Sequence, residues 1–163
     1  GGFGLIAEDG IPKPAFNAFA MLHRLGDRRI QVDSDSVLAT RRADGSIAVA
    51  LWNYAPPFGT GATYTPPPAT SEPQKTFSIK LDGVPPSASV TLWRLDADHG
   101  NVIKTFDAMG RPAFPTRAQI TTLRTAGQPS PPETSSLQDG NLTVSVPPQG
   151  LVLVQIADPG VKP

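Results

Sequence analysis

Residues 36–54, SVLATRRADGSIAVALWNY, contain the pattern that decides the fold. Apolar side chains recur with a period of two on both sides of Ala43-Asp44-Gly45, and such a tripeptide between two apolar runs is typical of a β-hairpin. We therefore predict strands over residues 36–42 and 46–54. The second strand is apolar on both faces through residues 47–52, so we expect it to lie in the centre of a sheet.

The rest of the chain adds short strands separated by turn residues. We predict strands over residues 76–81, 89–95, 141–146 and 150–156, the last two forming a closing hairpin across Pro147-Pro148-Gln149-Gly150. Six or seven short strands of this kind predict a mainly β fold, a two-sheet antiparallel β-sandwich. A short second helix is predicted after Pro115, with Thr116 as its N-cap.

The N-terminal part holds the clearest helical pattern. Pro14 fits the first position of a helix, where a missing N–H costs nothing. Apolar residues then recur at steps of three and four, and Gly26 is suited to a left-handed C-terminal cap. We predict a helix over residues 14–25, whereas residues 96–110 are expected to be irregular or weakly helical.

Composition excludes several classes of protein. The 163 residues include 19 Pro and 15 Gly, which disfavours a bundle of long helices. A complete (β/α)8 barrel needs roughly 250 residues, so this chain cannot hold one. The 14 Lys and Arg balance the 14 Asp and Glu, which gives no support for binding to nucleic acid or a membrane surface. The absence of Cys excludes disulfide scaffolds, thiolate zinc sites and cysteine nucleophiles.

Three motifs, taken in order, resemble a known family. The motifs are GGFGL with GIPKPAF and FAMLHRLG in residues 1–26, RLDADHGN with the stretch up to Arg124 in residues 94–124, and VPPQGL in residues 146–151. Together they resemble the C-terminal region of the family 39 glycoside hydrolases, which includes β-xylosidases and α-L-iduronidases. The first motif is similar to the last βα loop and last helix of the catalytic barrel, and β-xylosidases are the nearer match.

This resemblance implies a C-terminal fragment of a bacterial carbohydrate-degrading enzyme. Residues 1–27 would be the last loop and helix of the barrel, and residues 28–163 an accessory β-sandwich. Members of the family are retaining enzymes with two catalytic glutamates, which must stand about 5 Å apart. The glutamates here are Glu8, Glu72 and Glu133. None lies in an Asn-Glu-Pro motif or ends a buried strand, and the last two are predicted in Pro-rich loops. We therefore assign no catalytic residue and expect the chain alone not to hydrolyse glycosides.

Three residues are predicted to lie near substrate in the intact enzyme. Gly2 and Phe3 would follow the eighth barrel strand, at the face where barrel active sites lie, although packing on the barrel wall is the alternative. His99 would face the cleft from the polar stretch Asp96, Asp98, His99 and Asn101. The spacing of that stretch fails the EF-hand pattern, so we expect hydrogen bonds that shape a loop rather than a metal site. No cofactor is expected.

The role of the sandwich leaves alternatives open. In one alternative it supports the missing barrel of the same polypeptide and shapes the cleft or the oligomer of the enzyme. In the other it is a stand-alone carbohydrate-binding module that stacks sugar on Tyr54, Phe58 and Tyr64. Trp52 and Trp93 have apolar neighbours and are expected to pack in the core or against another domain. Self-association is expected through an open strand edge or through the helix residues Phe16, Phe19 and Leu22. We expect a soluble protein of the bacterial cytoplasm or periplasm.

Overall fold

A computed structural model of the chain describes residues 4–54 and 73–157. Its strands are β1 (Ile6–Ala7), β2 (Ile11–Pro12), β3 (Arg28–Ile30), β4 (Val37–Arg41), β5 (Ile47–Trp52), β6 (Lys75–Lys80), β7 (Ser89–Leu95), β8 (Glu133–Ser136), β9 (Asn141–Val146) and β10 (Leu151–Ile156). Its helices are α1 (Pro14–Leu22), α2 (Ile103–Ala108) and α3 (Arg117–Ala126). The prediction of a mainly β sandwich with few helices is confirmed.

A six-stranded antiparallel sheet in the order β3-β4-β5-β10-β7-β8 forms the centre of the molecule. β5 lies between β4 and β10, with Leu51 opposite Val37 on one side and Val152 on the other. The central position predicted for residues 47–52 is therefore confirmed. A second sheet contains only β6 and β9, and a short ribbon of β1 and β2 precedes α1.

The main core lies between the two larger sheets. Alternate residues of the central strands, such as Val49 and Val154, point towards the β6–β9 sheet, in which β9 contributes Val144 and Val146. All four of these side chains are buried. The period-two pattern of the sequence thus places one apolar face of each central strand in a dry interior, as the sandwich requires.

The opposite face of the six-stranded sheet is covered in part by α1. Ala50, Leu95 and Leu153 form a second buried cluster there with Met21 of the helix. Because residues of β5, β7 and β10 are apolar on both sides, the sheet needs a cover on each face. The molecule is consequently built in three layers: helix, six-stranded sheet and two-stranded sheet.

The predicted closing hairpin is wrong. β9 pairs with β6, whereas β10 pairs with β5 and β7, so residues 147–150 connect the two sheets. The backbone of this connection bonds to the end of β5 instead: the N–H of Asn53 donates to the carbonyl of Gly150 at 3.1 Å, and that of Gln149 donates to the carbonyl of Asn53 at 2.7 Å. Val144 and Val154 fill the same core from opposite layers, which a flat hairpin would not allow.

The end of α1 also differs from the prediction. The helix ends at Leu22, and Gly26 does not have the left-handed conformation expected of a cap. Its N–H donates to Thr40 Oγ1 at 2.8 Å, and a Cβ atom on Gly26 would lie 2.2 Å from the carbonyl oxygen of Arg41. Glycine is needed here because two backbone segments meet at close range.

Residues 96–136 require one further correction. Residues 96–110, expected to be irregular or weakly helical, contain the six-residue helix α2 between bends, which agrees with the expectation. The loop predicted around Glu133 is wrong, because Glu133 begins the edge strand β8. Its carboxylate accepts a hydrogen bond from Arg94 Nε at 2.7 Å. The N-cap of α3 is confirmed: Thr116 and Gln119 form a reciprocal capping box.

Leu153 tests the two-sided burial of the central sheet. Leu153→Ala is expected to lower the free energy of unfolding by about 2–5 kcal/mol, because the side chain is fully buried and leaves a cavity. Urea denaturation measures the change. Phe114→Ala is the control: this ring is 94% exposed, and its removal should change stability by about 0.5 kcal/mol or less. Similar losses for the two variants would contradict the layer assignment.

Candidate functional site

Helix α1 has its polarity reversed relative to an ordinary surface helix. Its sequence is PAFNAFAML, and its one polar residue, Asn17, is 1% exposed. Met21 packs inwards, but the other three large apolar side chains point outwards: Phe16 is 37% exposed, Phe19 63% and Leu22 37%. A surface helix normally presents polar residues to water, and a helix that is apolar all round is normally buried. The outer face of α1 is therefore suited to contact with another apolar surface.

An apolar groove of about 660 Å³ continues this face between α1 and the sheet. Its walls include Ala15, Ala18 and Leu22 of the helix and Leu38, Trp52 and Leu151 of the sheet. The amide of Asn53 also borders the groove, but its Nδ2 already donates to the carbonyls of Pro73 and Val146, each at 3.1 Å. A groove with apolar walls and few available hydrogen-bond donors is better suited to an apolar partner surface than to a sugar.

The predicted sugar-stacking residues are only partly within the described residues. Tyr54 is 69% exposed at the border of the groove, whereas Phe58 and Tyr64 lie outside the described ranges. Trp52 and Trp93 are half-buried, and the guanidinium of Arg24 stands over the Trp93 ring, 4.6 Å from its centroid. Sugar stacking in this region stays a prediction, as do the roles of Gly2 and Phe3, which also lie outside the described ranges.

Asn17 joins α1 to the segment between β7 and β8. Its Nδ2 donates to the carbonyl of Gly100 at 2.7 Å and to the carbonyl of Gly127 at 2.8 Å. These two glycines lie on either side of α2 and α3, so one side chain holds both ends of residues 100–127. We call these residues the helical excursion. Sequence reasoning missed Asn17, although a lone polar residue in an apolar helix was a signal for it.

The helical excursion also contacts the ribbon that precedes α1. Arg124 Nε donates to the carbonyl of Asp9, and Gly127 lies so close to Pro12 that a Cβ atom would be 2.7 Å from the Pro12 carbonyl oxygen. At the far end of the excursion, Phe114 is almost fully exposed between α2 and α3. The excursion is thus attached at its base to the N-terminal part of the chain.

His99 lies directly before the excursion, in a loop shaped by Asp96. The buried carboxylate oxygen Oδ1 of Asp96 accepts from the backbone N–H of Asp98 at 2.8 Å and of His99 at 3.1 Å. It also lies 2.8 Å from Nδ1 of the His99 ring. The prediction that this polar stretch forms loop-shaping hydrogen bonds is confirmed, and the ring of His99 is held in one orientation. Within residues 4–54 and 73–157, no group of three or more His, Asp and Glu side chains is arranged to hold a metal ion.

Asp98 and Lys104 form an exposed ion pair beside this loop. The Lys104 ammonium donates a hydrogen bond to Asp98 Oδ1. This bond lowers the pKa of the Asp98 carboxyl and raises the pKa of Lys104. The pair connects the loop of His99 to the first turn of α2.

The two glutamates in the described ranges are separated in the fold. Glu8 lies exposed in a 3-10 turn between β1 and β2, and Glu133 lies exposed on the edge strand β8, paired with Arg94. They therefore occupy different elements, and neither is buried. None of the helices in the described part of the chain is long and apolar enough to cross a membrane.

Asn17→Ala tests the attachment of the helical excursion. The change leaves two buried carbonyls without their donor, and an orphaned buried acceptor costs about 1–3 kcal/mol. Relative to the parent chain, we expect hydrogen exchange in the variant to become faster at the amides of α2 and α3, and to change less at the amides of the central sheet. Asn141→Ala is the control, since Asn141 is exposed and, among the described residues, its side chain bonds to the nearby carbonyls of Gln138 and Asp139. Exchange that rises equally in sheet and excursion would contradict the assignment.

Lys104→Gln tests the ion pair of the loop. Removing the ammonium should return the pKa of Asp98 towards its ordinary value of 3.8, as measured by NMR titration of the carboxyl. Because the folded pKa is lowered, the pair stabilises the fold above pH 3.8, and this contribution is lost as the pH falls through the folded pKa. Added salt should weaken the effect, since the pair is exposed. An unchanged Asp98 pKa in the variant would exclude this pairing.

Comparison with known proteins places this architecture in a family. The family model for glycosyl hydrolases family 39 matches residues 1–143. The chain is 34% identical over 146 residues to a β-xylosidase of Geobacillus stearothermophilus, covering 90% of this chain and 27% of that protein. It is 28% identical over 133 residues to a β-xylosidase of Caldicellulosiruptor saccharolyticus, covering 78% of this chain and 25% of that protein. The chain thus spans about a quarter of the length of these curated relatives.

Solved structures share the fold over nearly the whole chain. A monomeric β-xylosidase from Caulobacter crescentus superposes with a TM-score of 0.78 at 20% identity, covering 98% of this chain and 33% of that one. A family 39 enzyme from Xanthomonas axonopodis pv. citri gives 0.72 at 25% identity, covering 96% and 32%. Since the family model covers most of the sequence and a relative is 34% identical, the chain belongs to family 39 of the glycosyl hydrolases.

Proposed function

We propose that this chain is the non-catalytic accessory β-sandwich region of a retaining glycoside hydrolase of the β-xylosidase type, and that it supports a (β/α)8 catalytic barrel. The observation that carries the proposal is the outer face of α1, on which Phe16, Phe19 and Leu22 are exposed while the polar Asn17 faces inwards. In this proposal residues 1–27 form the last loop and helix of the barrel, and residues 28–163 form the sandwich. A location in the bacterial cytoplasm or periplasm is part of the proposal.

The hydrophobic free energy gained by covering the outer face of α1 favours a permanent contact. Complete burial of a Phe or Leu side chain is worth roughly 1.5–3 kcal/mol. Phe16, Phe19 and Leu22 keep between a third and two-thirds of their surface exposed, and the apolar groove adds the neighbouring sheet residues. A barrel wall that covers this area would bury the three side chains together with the apolar lining of the groove. A second copy of the chain, or pairing at an open strand edge, is the alternative cover when no barrel is present.

The glutamates support a non-catalytic role. Retaining hydrolysis needs two carboxyl groups about 5 Å apart on a rigid frame. Glu8 lies in an exposed turn, and Glu133 is held by Arg94 on a sheet edge. Neither arrangement resembles a cleft with a paired acid and nucleophile, so the catalytic carboxylates are proposed to belong to the barrel.

The helical excursion is proposed to shape the substrate cleft. In a (β/α)8 barrel the active site is built from the βα loops, and each barrel helix begins on that side. Asn17 in α1, close to its N-terminus, holds Gly100, the neighbour of His99, on this same side. This placement supports the proposal that His99 lies near substrate, together with Gly2 and Phe3 of the preceding loop.

A stand-alone carbohydrate-binding module is the second candidate. Tyr54 favours it, because an exposed ring beside the half-buried Trp52 offers a surface on which a sugar can stack. The groove next to these rings has few polar groups, whereas sugar recognition needs several hydrogen bonds. Barrel support accounts for both α1 and the groove, so it is the preferred function.

Hydrolysis of an aryl β-xyloside by the purified 163-residue chain tests the proposal. We expect no turnover above that of the E8Q/E72Q/E133Q variant, which lacks every glutamate of the chain. This variant is the matched control because it removes each candidate carboxylate without removing side-chain volume. Activity that follows the chain through purification and disappears in the variant would overturn the non-catalytic role.

A further inference from the structure

Four Asp-Gly dipeptides lie between the strands of the fold. They are Asp9-Gly10, Asp44-Gly45, Asp82-Gly83 and Asp139-Gly140. In such a dipeptide the backbone nitrogen of the glycine can attack the side-chain carboxyl carbon of the aspartate, because glycine has no Cβ atom to hinder the approach. The attack leads through a succinimide ring to isoaspartate. It requires that the peptide group between the two residues can rotate and that the carboxyl group is accessible.

In three of the four dipeptides a hydrogen bond holds the peptide group that must rotate. The N–H of Gly45 donates to the carbonyl of Arg42 at 3.0 Å, and the N–H of Gly140 donates to the carbonyl of Pro86 at 3.0 Å. The carbonyl of Asp9 accepts from Nε of Arg124. Each of these bonds must break before the glycine nitrogen can reach the carboxyl carbon, so the three positions are protected by the fold.

The carboxyl group of Asp44 is protected as well. Its Oδ1 accepts from the hydroxyl of Ser46 at 2.5 Å and from the backbone N–H of Ser46 at 3.0 Å. These two bonds lower the pKa of the Asp44 carboxyl, the bond from the hydroxyl having the larger effect. An ionised carboxylate resists attack by a nucleophile, because its charge opposes the incoming electron pair. Asp44 is therefore held in its unreactive form.

Asp82-Gly83 lacks both kinds of protection. Within residues 4–54 and 73–157, the peptide group between Asp82 and Gly83 forms no hydrogen bond. The side chain of Asp82 is 90% exposed and lies 3.8 Å from Nζ of Lys80, and an exposed ion pair of this kind restrains a side chain little. A Cβ atom on Gly83 would meet no other atom within 4 Å. The dipeptide thus has the space and the freedom that the reaction requires.

We propose that Asp82 is a site of spontaneous isoaspartate formation in the folded protein. The nitrogen of Gly83 forms a bond to Cγ of Asp82, and one carboxyl oxygen leaves as water, which closes the succinimide. Water then adds to one of the two ring carbonyls. Cleavage of the bond between the nitrogen and Cγ restores aspartate, whereas cleavage at the backbone carbonyl gives isoaspartate. One water leaves and one returns, so the step consumes no oxidant or cofactor.

The site lies at the end of the sheet opposite the apolar groove. Gly83 lies beside Arg41 and Gly45, where β5 begins, whereas the groove borders Trp52, where β5 ends. A partner surface seated on the groove would consequently leave Asp82 accessible to water. Isoaspartate formation at Asp82 is therefore independent of the proposed support of a catalytic barrel.

The connection around the dipeptide is anchored on both sides. The N–H of Leu81 donates to the carbonyl of Gly140 at 3.0 Å, and the carbonyl of Pro86 accepts from the N–H of Gly140 at 3.0 Å. Isoaspartate adds one CH2 group to the main chain, and this group falls between the two anchors. We expect the modified chain to keep its circular dichroism spectrum.

Incubation of the folded 163-residue chain at neutral pH and physiological temperature tests the proposal. An isoaspartate methyltransferase with labelled S-adenosylmethionine quantifies isoaspartate in each peptide, and mass spectrometry assigns its position. We expect isoaspartate to form at Asp82 at least about fivefold faster than at Asp44 or Asp139, since the loss of one hydrogen bond costs the protected sites about that factor. In concentrated urea, which removes the protection, the four dipeptides should react at similar rates.

Asp82→Glu is the matched control. It keeps the negative charge next to Lys80, but its longer side chain would have to close a six-membered ring, so the label in this peptide should disappear while the other three peptides stay unchanged. Equal rates at the four dipeptides of the folded chain would overturn the proposal, as would a faster reaction at another dipeptide. A folded chain that forms no isoaspartate at Asp82, while the chain in urea does, would show that the β6–β7 connection is protected and would also overturn it.

Discussion

The whole structure depends on one constraint: the central strands of the large sheet are apolar on both faces. β5, β7 and β10 place Val49, Leu92 and Val154 towards the two-stranded sheet, and Ala50, Leu95 and Leu153 towards the opposite side. Such a sheet is stable only when both faces are removed from water. The β6–β9 sheet covers the first face, and α1 covers part of the second. The apolar groove lies over the part of that second face which α1 leaves uncovered.

The same constraint explains the reversed helix. An ordinary surface helix would complete the fold by covering the sheet and presenting polar residues outwards. α1 instead directs its polar residue inwards, where Asn17 holds the helical excursion, and directs Phe16 and Phe19 outwards. α1 therefore has the two-sided apolar character of a helix packed between two layers, but in the described part of the chain only one of its sides is covered. In the proposed function α1 is shared with a catalytic barrel, and a helix in that position must be apolar on both sides.

Much of the fold was predictable, because period-two patterns, the hairpin at Asp44-Gly45 and the N-cap at Thr116 act locally. The failures were long-range. Nothing local in residues 147–150 shows that Val144 and Val154 face each other across the core, so the local pattern predicts a hairpin where the chain changes sheets. The sequence predicts a helix cap at Gly26, whereas the structure requires a glycine there because the carbonyl of Arg41 lies so close. Among candidate site residues, the loop around Asp96 followed from sequence spacing, whereas the bonds of Asn17 to Gly100 and Gly127 join residues more than 80 positions apart.

The central claim is that the outer face of α1 is built to be covered. Sedimentation of the 163-residue chain over a range of concentrations, together with binding of a hydrophobic dye, tests this claim most directly. Our account predicts that the parent chain binds the dye and associates as its concentration rises. F16S/F19S should keep the same circular dichroism spectrum and lose both properties. A parent chain that stays monomeric and binds no dye at any concentration would contradict the account.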